Sequence, residues 1–213
     1  MHFLSIFSKR YVYNVCLMAN KKFFNTKMIA STGILLGVEI VLQVIGNYIQ
    51  PGFANINLSL IPICLGAILY GPIVGGLLGL VCGVMVLISP STISVFFAVS
   101  PIGTVLACLL KTTLAGIVAG FISKAFKNKN TLVGSILVSI AVPVINTGVF
   151  ALFTAIFFTP ILDNMVASGM FANAALALFL GMIGLNFILE IVSTTILTPS
   201  LYKIIEHQSP NRE

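Results

Sequence analysis

The stretch "INLSLIPICLGAILYGPIVGGLLGLVCGVMVLI", residues 56–88, contains no charged residue. A helix needs about 20 apolar residues to cross the hydrocarbon core of a bilayer. This run is too long for one crossing. Tyr70-Gly71-Pro72 divides it, because a Gly-Pro pair favours a turn. Each half then holds only about 16 residues, short for a span. The two helices need support from neighbours. Whether the run counts as one crossing or two decides the side on which every later loop lies.

Further apolar helices are expected at about residues 27–49, 101–123, 131–158 and 173–202. Together with the two halves of 56–88 they make six. Composition agrees with a chain that is almost all membrane. The hydrophobic fraction is 58% and charged residues are 8%, against about 25% in a soluble domain. Mean hydropathy is +1.11. The sequence predicts an all-α integral membrane protein of six transmembrane helices. Residues 1–26 form an N-terminal segment, 27–203 the membrane domain and 204–213 a tail. Because "MANKKFFNTKMIAS" from Met18 reads like a natural bacterial start, residues 1–17 are expected to be a gene-calling extension.

Charge sets the orientation. Lys9, Arg10, Lys21, Lys22 and Lys27 precede the first helix. Lys124, Lys127 and Lys129 lie between helices 4 and 5, and Lys203 and Arg212 follow helix 6. Six crossings place all of these on one side, and none on the other. By the positive-inside rule both termini are cytoplasmic. The net charge of +6 is thereby assigned to orientation and to anionic lipid headgroups, not to nucleic acid. The outer loops, about 50–55, 89–100 and 159–172, are polar and carry Asp163 as their one charge.

Three ionisable residues fall at mid-membrane depth: Glu39, Lys111 and Glu190. Each costs about 2.5–3.5 kcal/mol at a helix centre, so each should face the bundle interior. Lys111, in "TVLACLLKTTLAGIV" (104–118), either pairs with Glu39 or Glu190 or lines a cavity. Thr104, Cys108, Lys111 and Ala115 share one stripe of their helix. Asn186 and Glu190 are four apart and share a face. In "AVPVINTG" Pro143 frees a backbone carbonyl close to Asn146 and Thr147. The substrate-contact candidates are Asn55, Asn57, Lys111, Asn146, Asn186, Glu190 and Glu39. Gly33 and Gly37, with Ala30 and Ser31 before them, make a small-residue face that lets another helix approach closely. Glu39 lies about 200° round the helix from Gly37, so charge and small residues point in opposite directions.

Catalytic and metal chemistry lack a constellation. Both histidines sit near the termini, and the four cysteines show no metal-ligand spacing. Small buried apolar roles suit the cysteines. No glycine frame leads into Lys111-Thr112, so this is not a phosphate-binding loop. Neither GxSxG nor HExxH occurs. No metal site and no enzyme activity are expected, and such a chain must work passively, couple to an ion or borrow energy from a partner.

Residues 56–88 resemble the helix 2–3 region of the substrate-binding S components of energy-coupling factor (ECF) vitamin transporters. An Ile-Pro-x-x-x-Gly-Ala-x-Leu-x-Gly-Pro-type run followed by a Gly-rich helix is common there. "KTTLAG" (111–116), the basic loop after helix 4 and the six spans also fit. The resemblance implies a multi-pass protein of the bacterial plasma membrane that binds a water-soluble vitamin near its outer side. It implies partners: a transmembrane coupling protein and two ATPases that use ATP, this chain holding no cofactor. Small residues on helix 1 form part of the docking face in that family, which maps to Ala30, Gly33 and Gly37. One lysine, several asparagines and no Trp suit a small polar acid such as pantothenate. The alternative is a self-sufficient proton-coupled secondary transporter of a small polar solute, with Glu39 or Glu190 as proton site.

Overall fold

The computed structural model describes residues 26–48, 57–127 and 130–208. Among these residues the only regular structure is helical. Eight helical elements follow in chain order: α1 Thr26–Tyr48, α2 Leu60–Tyr70, α3 Pro72–Leu87, α4 Pro90–Phe97, α5 Pro101–Phe126, α6 Thr131–Phe157, α7 Thr159–Ala167 and α8 Ala174–His207. The chain divides into two compact units, residues 1–33 and 34–213. The described part of the first is the opening of α1. The remainder of α1 and all later elements belong to the second.

Four of these helices, α1, α5, α6 and α8, are long and apolar enough to cross a membrane. α3 and α4 make a fifth if counted as one broken span, bent by 62°. α2 has only 11 residues, about 16 Å of helix against a core of about 30 Å. The expected division of 56–88 lies at Gly71, whose φ of 87° is open to glycine at little cost. Its N–H donates to Ala67 O at 3.0 Å, closing α2, and Pro72 opens α3, where a missing N–H costs nothing. The ends of the longer helices are equally legible. Asn130 Oδ1 accepts from the N–H groups of Leu132 and Val133, at 3.1 and 3.2 Å, and caps α6. Ser100 Oγ accepts from Gly103 N at 3.3 Å ahead of α5.

The core of the second unit is a glycine seam. Gly75, Gly79 and Gly83 follow at four-residue intervals on α3. They meet Gly116, Thr112 and Cys108 of α5 in antiparallel order. A methyl group on Gly79 would run into Thr112 O, and one on Gly83 would stand 2.6 Å from Cys108 O. Only glycine lets the two backbones touch. Gly120 packs on Pro72 at the end of the seam, where Ser123 Oγ also donates to Ile68 O at 3.2 Å. α2, though short, is buried over Leu60–Ala67. This is the neighbour support that its length requires.

α6 meets α8 through a different device. Pro143 has no N–H, so the carbonyl of Ser139 loses its helical partner. Thr194 Oγ of α8 lies 2.8 Å from Ser139 O and fills that place. The same hydroxyl lies 2.7 Å from Glu190 O in its own helix. Near its start α8 widens into π turns over Ala177–Gly184. There Gly181 leaves room for Met165 and Phe171.

Candidate functional site

A cavity of about 420 Å³ opens among α1, α4, α5, α6, α7 and α8. Its walls follow helical periodicity. α5 contributes Thr104, Ala107, Cys108 and Lys111, α6 Asn146, Thr147 and Phe150, and α8 Met182, Ile183, Asn186 and Glu190. These spacings of three and four put each set on one face. Because the glycine seam locks α5 at Cys108 and Thr112, it fixes the height of Lys111 between them.

One flank is apolar. Phe96 packs edge-on against Phe150 and Phe158, with centroids 5.8 and 5.0 Å away. Ile161 and Met165 of α7, with Met170 after it, continue this surface. Another part of the lining is polar and uncharged: Gln43, Asn47, Asn57, Ser89, Ser91 and Thr92. Ser59 Oγ, wholly buried, donates to Gln43 Oε1 at 2.7 Å and also lies against Asn57 Oδ1 and Cys82 Sγ. Gln43 Nε2 donates to Asn47 Oδ1 at 3.1 Å. This cluster ties the end of α1 to the approach to α2. Cys64, Cys82 and Cys108 are unpaired and buried.

The two charges in the wall do not touch. Lys111 Nζ stands 4.9 Å from the centre of the Phe150 ring, a cation–π arrangement. Among the described residues no carboxylate oxygen lies within 4.0 Å of it. Glu190 Oε2 accepts from Asn146 Nδ2 at 3.2 Å and from Thr147 Oγ1 at 3.5 Å. Lys111 remains within electrostatic reach of Glu190.

Of the sequence candidates, Asn57, Lys111, Asn146, Asn186 and Glu190 line this one cavity. Asn55 lies outside the described residues. Glu39 is not in the wall. It is fully buried one turn along α1 from Gln43, and neither carboxyl oxygen has a hydrogen-bond partner among the described residues. Of the two readings of Lys111, the cavity-lining one fits its place in this wall; no lysine–glutamate ion pair forms among the described residues, where Lys111 lies over Phe150 and Glu190 accepts from Asn146. Gln43, Phe96 and Phe150 went unnoticed as wall residues. Gln43 had a signal: it is four residues from Glu39, on the same helical face. α7, expected within a loop, had a weaker one in Thr159-Pro160, a proline placed to start a helix.

These features define a multi-pass helical membrane protein with a cavity between its helices, largely apolar and set with a few polar and charged groups. The chain matches the ECF transporter substrate-specific component family over residues 27–202, and it belongs to that family. No curated protein and no solved structure matches it. Membership places it in a transport class, not a catalytic one, and implies a small-molecule substrate and association with coupling and ATPase modules.

Proposed function

We propose that this chain is the substrate-binding subunit of an ECF-type importer, taking a water-soluble vitamin or related micronutrient into the 420 Å³ cavity. The observation that carries this reading is a coincidence of extent. Every described wall residue, from Gln43 to Glu190, falls within the segment matched by the family. Volumes of this size suit small ligands, held by an apolar surface and a few polar groups. Contacts are assigned to Asn57, Lys111, Asn146, Asn186 and Glu190. Pantothenate is the proposed substrate, because a small polar acid suits one lysine among carboxamides and hydroxyls.

In this reading α2 and α3 are separate short spans. Both termini lie in the cytoplasm of a bacterial cell, and the cavity opens outward. Docking on the coupling protein uses Ala30, Gly33 and Gly37 of α1, and two partner ATPases supply the energy from ATP. Pantothenate uptake by cells should vanish when the coupling protein is deleted, while the isolated chain still binds it. Uptake that survives the deletion would overturn the assignment. Lys111→Ala should weaken binding at least tenfold, read by calorimetry, and leave co-purification with the coupling protein intact.

One observation favours a second reading. Glu39 is a fully buried carboxyl with no hydrogen-bond partner by distance and angle among the described residues, an expensive arrangement in a membrane and a mark of proton relays. A proton-coupled secondary transporter would accumulate solute in liposomes containing this chain alone, driven by a pH gradient. An S component would not.

A further inference from the structure

The cavity holds two opposite charges that do not meet. Attraction between Lys111 and Glu190 is strong where water is scarce, and both side chains line one space. Each is held back by its own partner. The Phe150 ring carries the ammonium at 4.9 Å. Asn146 and Thr147 hold Glu190 through a single oxygen, Oε2. Asn146 is itself fixed, being buried on the α6 face that Pro143 and Thr194 register against α8. The gap between the charges is therefore built by packing.

We infer that the ligand completes this split pair: its carboxylate binds Lys111 Nζ, and a hydroxyl, amide or ammonium donor of the same molecule binds the open side of Glu190. The inference rests on the cavity being the substrate site and says what that site reads. Among the described wall residues Lys111 and Glu190 are the two of charged type, so a ligand with one acid and one nearby donor satisfies both. A dianion would leave one negative charge facing Glu190. A cation without an acid would leave Lys111 unanswered. A ligand with neither group would leave two charges uncompensated, which is how buried polar sites reject analogues. The Phe96–Phe150–Phe158 flank takes the apolar part between or beside these groups.

The test uses the full chain in detergent with Lys111→Met, Glu190→Gln and the double variant. Without ligand, the double variant should recover only a small part of what the single variants lose, since Lys111 and Glu190 attract across the gap without direct contact. A double variant that recovers what the singles lose would show an internal ion pair and overturn the inference. The second measurement compares pantothenate with panthenol, which has the same skeleton with an alcohol in place of the acid. Panthenol should bind about 100-fold more weakly, an unpaired buried charge being the penalty. Lys111→Met should erase that preference, and Glu190→Gln should weaken both compounds alike. Equal binding of acid and alcohol, or a preference that survives Lys111→Met, overturns the inference and leaves the transport reading standing. If neither compound binds, the substrate assignment is wrong, and biotin, thiamine and riboflavin decide the rest. Biotin binding lost in Lys111→Met supports the split pair. Binding of thiamine or riboflavin in preference to biotin overturns it. No binding by any of them overturns the cavity as substrate site and the inference with it.

Discussion

Glycines recur at four-residue spacing on α3 and on α1, and these two sets meet opposite surroundings. On α3, Gly75, Gly79 and Gly83 are filled against: each faces backbone of α5. On α1, a methyl group placed on Gly33 or on Gly37 would meet nothing within 4 Å. In sequence the two patterns look alike. In the fold one is an internal seam, and the other faces open space. Spacing shows that a close approach is possible; only the surroundings show whether this chain makes it.

The sharpest way to break this comparison is Gly79→Val. The side chain would collide with Thr112 backbone, which cannot step aside as a flexible side chain does. The loss should be about 3 kcal/mol or more, at the upper end of overpacking, seen as a large drop in the melting temperature in detergent. The same change at Gly37 should cost no more than about 0.5 kcal/mol, as at an open surface position. Equal losses at the two sites would dissolve the distinction.

A smaller effect tests the other helix contact. Thr194→Val keeps the shape but removes the hydroxyl beside Ser139 O, the carbonyl released by Pro143. The stability cost should be about 1–2 kcal/mol, the penalty for an unsatisfied buried acceptor. Ligand affinity should fall as well, because Glu190 lies one turn along the same helix. A stable variant with unchanged affinity would mean that α6 and α8 are held in register by packing alone.

The legible parts of the fold were those with strong local causes. The break at Tyr70-Gly71-Pro72 follows from a glycine conformation and a missing N–H. The expected starts at about 101 and 131 hold, and the structure adds the side-chain oxygens of Ser100 and Asn130 that cap them. Apolar length located α1, α5, α6 and α8 within a few residues. Lys111 and Glu190 were legible as interior groups because the membrane makes any other position costly. Their separation was not, since it depends on which ring and which carboxamide reach them across helices far apart in sequence. Phe150 is 39 positions from Lys111 in the chain (150 − 111), and nothing local marks it among many phenylalanines. Glu39 shows the limit from the other side. Burial was predictable from its charge, yet its place outside the cavity wall depends on the turn of α1 that faces α3.

The smallest expected effect on stability is also the most informative about the open glycines. Gly37 is exposed while Glu39, two residues on, is fully buried, so the small face of α1 looks away from the core of its unit. Gly37→Leu should leave melting within about 0.5 kcal/mol of the parent and should leave ligand affinity unchanged. Co-purification with the coupling protein should nevertheless fall at least tenfold, because a leucine holds an approaching helix away from the backbone. Gly37→Ala, with a side chain that still permits close approach, should retain most of the assembly. If Gly37→Leu assembles normally, the open face of α1 contacts lipid, and docking must use another surface. If it both fails to assemble and melts early, Gly37 belongs to the fold in the same sense as Gly79, and the two glycine sets differ only in degree.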